Sequence, residues 1–276
     1  MTTIAETGWL EALGAARATF PLPRRAHVRA AAFTDQVLAF LFPHFAAEVH
    51  VTSAEVAREQ AQLDLDAHVL LAAFGGDEHS EERTAEFMRA LPALRDELLA
   101  DARFIVESDP AATSLDEVIL AYPGFEAVAC HRIAHRLQML GVALLPRLIA
   151  EYAHQRTGID IHPGARIGVP LAIDHGTGVV IGESAELGAR VRLYQGVTLG
   201  ALSVEKSLAS AKRHPTIEDD VVIYANATVL GGRTVVGAGS VIGGNVWITR
   251  SVPPRSVVVN KPMEERSLDD GLEFHI

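Results

Sequence analysis

The sequence predicts an α+β protein: an all-helical domain over residues 1–157, a parallel β-helix of hexapeptide repeats over 158–260, and an acidic tail over 261–276. Three observations predict it. First, Ile161, Ile167, Ile173, Val179, Val191 and Val197 fall on one six-residue lattice, and Ile217, Ile223, Val229, Val235 and Val241 fall on a second. Of the thirteen lattice sites from 161 to 197 and from 217 to 247, only Ala185 and Trp247 are not Ile or Val. A period of six fits neither a helix nor a lone strand; it fits a short strand plus a corner, three of which close a triangular coil. Second, small residues stand four places after several lattice sites, at Ala165, Ala189, Ala227 and Gly239, where a tight corner leaves little room. Third, the first 157 residues are rich in Ala, Leu, Glu and Arg with apolar positions at helical spacing.

In chain order, Glu11 to Thr19, Arg24 to Leu41, Ala54 to Phe74 and Ser80 to Glu107 are the first predicted helices, punctuated by Pro21, Pro23 and Pro43. Thr52-Ser53-Ala54-Glu55 and Ser114-Leu115-Asp116-Glu117 both have the form of a capping box. Tyr122-Pro123-Gly124 stops one helix, and Phe125 to Leu140 and Leu144 to Arg156 lead to Gly158, where the repeat begins. In the repeat, no side can bury its aliphatic residue alone, so coils must stack into a column. β-Branched residues suit that column because they are stiff and pack well on a pleated surface.

Composition excludes several classes. No run approaches the roughly 20 apolar residues of a membrane span, and the acidic, base-free start MTTIAE is unlike a secretory signal. One cysteine, Cys130, leaves no internal disulfide framework and suits a reducing cytoplasm; among its apolar neighbours it is expected to be buried packing. The net charge is −11, with 22 acids against 13 bases in residues 1–157 and eight against nine in residues 158–260. Acidic helices argue against a nucleic-acid partner, and the near-neutral repeat is compatible with an anionic ligand. His131 and His135 have a spacing that can bind metal, but no third ligand stands nearby, so no metal is expected.

The lattice is expected to break once, between Val197 and Ile217, where residues 201–214 (ALSVEKSLASAKRH) leave the coil and end in Lys212-Arg213-His214-Pro215. Loops thrown out from a rigid scaffold collect binding and chemistry. Asp160, His162, Asp174 and His175 sit on the first two coils. Taking eighteen residues per coil, Asp160 and His175 lie close to one full turn apart, so a carboxylate could stand over an imidazole and hold one tautomer. That is the arrangement of a general base with its orienting partner. A corner aspartate and an unrelated surface histidine fit the spacing equally well.

The motifs Gly158-Ile-Asp-Ile-His-Pro-Gly-Ala, Asp174-His-Gly-Thr-Gly-Val-Val-Ile-Gly-Glu183, Gln195-Gly-Val-Thr-Leu-Gly200 and Lys212-Arg-His-Pro215 together resemble the serine O-acetyltransferases, clearly from about residue 109 to 260. The resemblance implies a left-handed β-helix. It implies transfer of acetyl from acetyl-CoA to L-serine, with His175 as base and Asp160 as its partner. Asp109, Asp174, Arg213 and His214 would hold the amino acid, and Gly200, Ala201, Ala225, Gly243 and Gly244 would admit acetyl-CoA to the backbone. It further implies a trimer or dimer of trimers, with the cofactor groove between subunits. L-cysteine is implied as an inhibitor, and O-acetylserine sulfhydrylase as a partner engaging the C-terminal Ile276. The physical logic agrees: serine is a zwitterion, so Arg213 suits its carboxylate, and Asp109 and Asp174 suit its ammonium.

Three rivals differ in what they need. An acetyltransferase for a sugar or another amino acid would keep His175, but a sugar needs no Arg213 clamp beside two aspartates. A hexapeptide-type carbonic anhydrase would need zinc on closely spaced histidines, and His162, His175 and His214 are far apart in sequence. A non-catalytic assembly module would release no thiol from acetyl-CoA.

Overall fold

The computed structural model describes residues 4–19, 25–202 and 211–260, without the side chains of 4–7 and 77. The chain divides into two compact units at Gly164/Ala165.

The first unit is helical: α1 (Ile4–Ala18), α2 (Ala26–Leu41), α3 (Ser53–Gly75), α4 (Ser80–Ser108), α5 (Leu115–Ala121), α6 (Pro123–Met139) and α7 (Leu145–Thr157), closed by a two-residue strand, β1 (Asp160–Ile161). α6 packs against α7 and α4, and α2 against α7 and α3. The core joins Phe33, Leu38 and Phe42 to Phe87, Leu94 and Leu98, and to Phe125, Ile133, Leu137 and Ile149. Cys130 is fully buried among them, and burial pushes its thiol up, out of the reactive range.

Local signals act largely as expected. Thr52 and Glu55 close a reciprocal capping box at the start of α3. At α5 only half of the expected box forms. Ser114 Oγ accepts from Glu117 N at 3.1 Å, but the Glu117 carboxylate reaches one residue further back, to Thr113 N and Oγ1. Pro123 both prevents α5 from continuing and starts α6, where its missing N–H costs nothing. His131 and His135 stack at 5.7 Å between ring centroids, and burial holds His131 well below the usual imidazole range. His135 Nδ1 lies 2.8 Å from the Pro163 carbonyl. Among the described residues no group of three His, Cys, Asp or Glu side chains could hold a metal ion, and no helix is long and apolar enough to cross a membrane.

The second unit is a parallel β-solenoid with three faces. Strands β2 (Arg166–Ile167), β5 (Glu186–Leu187), β8 (Thr216–Ile217) and β11 (Val235–Val236) stack on one face. Strands β3 (Leu171–Asp174), β6 (Val191–Tyr194), β9 (Val222–Ile223), β12 (Val241–Ile242) and β14 (Val257–Val258) stack on the next. The third face carries β4 (Val180–Ile181), β7 (Thr198–Gly200), β10 (Thr228–Leu230) and β13 (Trp247–Ile248).

The register corrects the lattice in three respects. Ile167 pairs with Leu187 and Ile173 with Leu193, so this coil takes twenty residues rather than eighteen. The inward strand residues are therefore Ile181, Leu187, Leu193 and Leu199, while Val179, Ala185, Val191 and Val197 are equally buried but fill the corner position beside them. The shift arises at Asp174-His-Gly-Thr-Gly178, which lengthens the step from Ile173 to Ile181. A second shift follows Val229, where Gly231-Gly232 lengthen the step to Val236; Val236, Ile242 and Ile248 then face inward, and Trp247 stands 69% exposed. With the four-residue step from Ile248 to Val252, which bridges Val236, the repeat thus departs from six at four places, not one. Ala165 and Ala227 occupy the predicted small-residue site and are fully buried, but Ala189 and Gly239 do not; Ala185 and Ser240 do. The last coil runs on to Val257 and Val258, which pair with Val241 and Ile242.

One polar interaction lies deep in the helical core. Arg132 donates from Nε to Asp101 Oδ2 at 2.6 Å and from Nη2 to Oδ1 at 2.8 Å, with both side chains buried. Removing one partner strands a buried charge. Arg132→Met is expected to cost about 3–5 kcal/mol in denaturant unfolding, and the double variant Arg132→Met/Asp101→Leu should recover most of it.

Candidate active site

The expected site residues of the second unit gather at two corners of the coil. At the corner after β3, the chain turns through His175, whose φ of 58° is left-handed backbone. Histidine tolerates that region better than most residues, yet it still costs about 1–2 kcal/mol relative to an ordinary conformation. The turn leaves the imidazole 71% exposed, with Nε2 3.7 Å from Asp174 Oδ1. Asp174 pairs in register with Tyr194, and Leu193, Ile223 and Ile242 continue the ladder. Two residues on from Ile173, Leu193, Ile223 and Ile242, the residues His175, Gln195, Ala225 and Gly244 follow one another down successive coils. Small side chains stand at the far end of this column: a Cβ added at Gly244 would lie 3.1 Å from the Ala225 carbonyl, and Asn245 N donates to that same carbonyl at 2.9 Å. Tyr194 and Tyr224 stack beside it, 4.9 Å between centroids.

At the corner after β4, Gly182-Glu183-Ser184 receives the end of the excursion. Ser184 Oγ accepts from Arg213 N at 2.9 Å and from His214 N at 3.1 Å. His214 Nδ1 accepts from Ser184 N at 3.0 Å and lies 2.9 Å from Ser184 Oγ, so the neutral ring carries its proton on Nε2. The ring is 8% exposed and lies flat on Gly182, where any Cβ would overlap it. The Arg213 guanidinium pairs with the Glu183 carboxylate and is 23% exposed. Lys212 Nζ lies 3.0 Å from Glu186, whose carboxyl the Lys212 ammonium and the Arg166 guanidinium hold below the usual carboxylate range. Gly200 and Ala201 belong to this second corner too; a Cβ at Gly200 would meet Leu230 Cδ2 at 2.8 Å.

Two expected residues lie in the helical unit. Asp109 ends α4, with Oδ2 accepting from Tyr122 OH at 2.7 Å and Oδ1 from Ala111 N at 2.8 Å. Asp160 opens β1, 4.0 Å from Arg147 Nη1. Glu183, Ser184 and Tyr122 were not singled out from the sequence; Glu183 and Ser184 follow the Asp174 motif directly, but only the fold shows that the excursion returns onto them. Ile276 lies outside the described residues.

A parallel β-solenoid of hexapeptide repeats, with an exposed histidine at one corner and an Arg-His pair at the next, defines a hexapeptide-repeat acyltransferase. No family model matches the chain, but individual proteins do. It is 51% identical over 199 residues to the plasmid-encoded serine acetyltransferase of Synechococcus elongatus, an alignment covering 70% of this chain and 62% of that protein. It is 50% identical over 162 residues to the serine acetyltransferase of Mycobacterium tuberculosis, covering 59% of this chain and 69% of that one. Among solved structures, serine acetyltransferase 1 of Entamoeba histolytica in complex with L-cysteine superposes with a TM-score of 0.76 at 36% identity, covering 82% of this chain and 86% of that one. The chain belongs to the serine acetyltransferase family.

The His214 geometry has a direct spectroscopic consequence. In 15N NMR near neutral pH, His214 should show an unprotonated Nδ1 and a protonated Nε2. Gly182→Ala should push the ring off its seat and return it to the mixed tautomers of a solvated histidine.

Proposed function

We propose that the protein transfers acetyl from acetyl-CoA to the hydroxyl of L-serine, giving O-acetyl-L-serine for cysteine biosynthesis in a reducing cytoplasm. The single observation that carries the reading is His175, presented to solvent by a left-handed turn at the first departure from the repeat, in a chain of the serine acetyltransferase family. In this reading His175 takes the serine hydroxyl proton as the oxygen attacks the thioester carbonyl. Asp160 is its orienting partner. Asp174 and Asp109 take the ammonium of serine, and Arg213 takes its carboxylate, sharing the guanidinium with Glu183. His214, fixed by Ser184 with its proton on Nε2, supplies a donor beside Arg213.

Acetyl-CoA is the proposed donor substrate, lying along Gly200, Ala201, Ala225, Gly243 and Gly244. Narrow glycine positions with little room for a Cβ suit the close approach of a pantetheine arm to backbone. These residues fall on two different corners of the solenoid, as do His175 and Arg213. That division supports a homo-oligomer, a trimer or a dimer of trimers, in which one copy's first corner faces another's second. L-cysteine, which differs from serine at one heteroatom, would be held by the same Arg213, Asp174 and Asp109; the cysteine complex of the Entamoeba histolytica protein supports this. Ile276 would engage O-acetylserine sulfhydrylase, its apolar side chain in a pocket and its carboxylate in an anion site.

Thiol release from acetyl-CoA should depend on L-serine and be far weaker with homoserine or sugars. His175→Ala should lower turnover by a factor on the order of 100 to 10,000, the usual contribution of a positioned base, with acetyl-CoA affinity retained. Serine-independent thiol release, or His175→Ala turning over at the wild-type rate, would overturn the proposed reaction.

A further inference from the structure

Asp160 is set at the join between α7 and β1 by contacts that leave it little freedom. α7 ends on Gly158, whose φ of 71° is left-handed backbone and whose N–H returns to the His154 carbonyl. Thr157 Oγ1 accepts from Ile159 N at 3.1 Å and donates to the Ala153 carbonyl at 2.7 Å. Ile159 and Ile161, on either side of Asp160, are both buried. Alternate side chains of an extended segment point to opposite faces, so the two inward isoleucines turn Asp160 outward. Its side chain stays 27% exposed.

One charged group faces it. Arg147 Nη1 lies 4.0 Å from Asp160 Oδ1, while Nη2 of the same guanidinium donates to Glu151, one helical turn on. Among the described residues Asp160 has no other charged partner and no side-chain hydrogen bond. Arg147 stands in the first turn of α7, directly after Leu145 and Pro146. A cation there meets the positive end of the helix dipole, so helix stability gives no reason for it. Its i, i+4 pair with Glu151 also runs in the less favourable order, base before acid. Two local rules are broken at a residue whose other charged contact is Asp160, and such breaks gather at functional positions.

We propose that Arg147 is a positioning residue for acetyl transfer, acting through Asp160. The inference rests on the proposed role of Asp160 as the orienting partner of His175. An orienting carboxylate must keep one oxygen turned toward the imidazole N–H. Free rotation of the Asp160 carboxylate would spread that oxygen over several directions. The Arg147 guanidinium, itself held by Glu151, draws Oδ1 to its side and leaves Oδ2 for the imidazole. At 4.0 Å the pair is a charge contact rather than a hydrogen bond. Both side chains are partly exposed, so the effect on rate is modest.

The test is a double-mutant cycle on the full-length protein, read as serine-dependent thiol release. Arg147→Met should lower kcat about three- to tenfold, with the KM for serine and for acetyl-CoA within about twofold. Arg147→Lys, which keeps the charge, should recover most of that loss. In an Asp160→Asn background, Arg147→Met should change kcat by less than about twofold, because the carboxylate it acts through is gone. Glu151→Gln, which removes the helix pair alone, should stay within about twofold of wild type. Wild-type kcat in Arg147→Met, alongside an impaired Asp160→Asn, would overturn the proposal. So would the same fold loss with and without the Asp160 carboxylate, or an equal loss in Glu151→Gln, since either marks a role in the fold only. Asp160→Asn turning over at the wild-type rate would instead overturn the role of Asp160, and with it that of Arg147.

Discussion

Everything in the second unit hangs on one column of packed aliphatic side chains. Ile167, Leu187, Ile217 and Val236 stack down one face, Ile173, Leu193, Ile223 and Ile242 down the next, and Ile181, Leu199, Val229 and Ile248 down the third. Nearly all are at or close to zero exposure. Each contributes on the order of 1.5–3 kcal/mol of burial, and none could do so without the coil above or below it. The column also fixes register, because a slip of one residue would turn an aliphatic outward and a polar residue in. A scaffold set in this way tolerates extra residues at its corners, provided the chain returns in phase.

The corners are where the chain does something other than repeat. Asp174-His-Gly-Thr-Gly178 lengthens one corner and leaves His175 in left-handed backbone. At another, Ser184 receives Arg213 and His214 through three contacts at or below 3.1 Å. Gly231-Gly232 lengthens a third. Extra chain length is concentrated where the proposed chemistry lies, and the aliphatic column offsets its cost. The helical unit is held differently, by a close-packed core with one buried Arg132–Asp101 pair.

How much of this could be read from sequence follows from the same physics. The period of six was legible because burial repeats with it, and the helical half because its apolar positions keep helical spacing and Thr52 caps α3 as its sequence says. The three-fold register was misplaced because two aliphatic positions per side are buried, strand and corner alike. Val179, Val191 and Val197 therefore look like a continued lattice when they have changed role. Counting Ile and Val alone hid Leu187, Leu193 and Leu199, which hold the inward positions. His175, Asp174, Arg213 and His214 were legible through their motifs. Glu183 and Ser184 were not assigned a role, because the pairing of residues thirty apart depends on how far the excursion travels before returning. The half-formed box at α5 shows the same limit in miniature: Glu117 had two hydroxyl-bearing residues to choose from, and Thr113 won.

The central claim is that the column supplies stability while the departures from it supply the site. The most direct measurement is to delete Gly176 and Thr177, which restores a six-residue step from Ile173 to Ile181 and leaves Asp174 and His175 in the chain. The account predicts a variant that unfolds cooperatively, close to the wild-type midpoint, with serine-dependent thiol release lowered by a factor on the order of 100 or more, as expected when a base is misplaced by about an ångström or more. Turnover within a few-fold of wild type, or loss of cooperative unfolding, would contradict it.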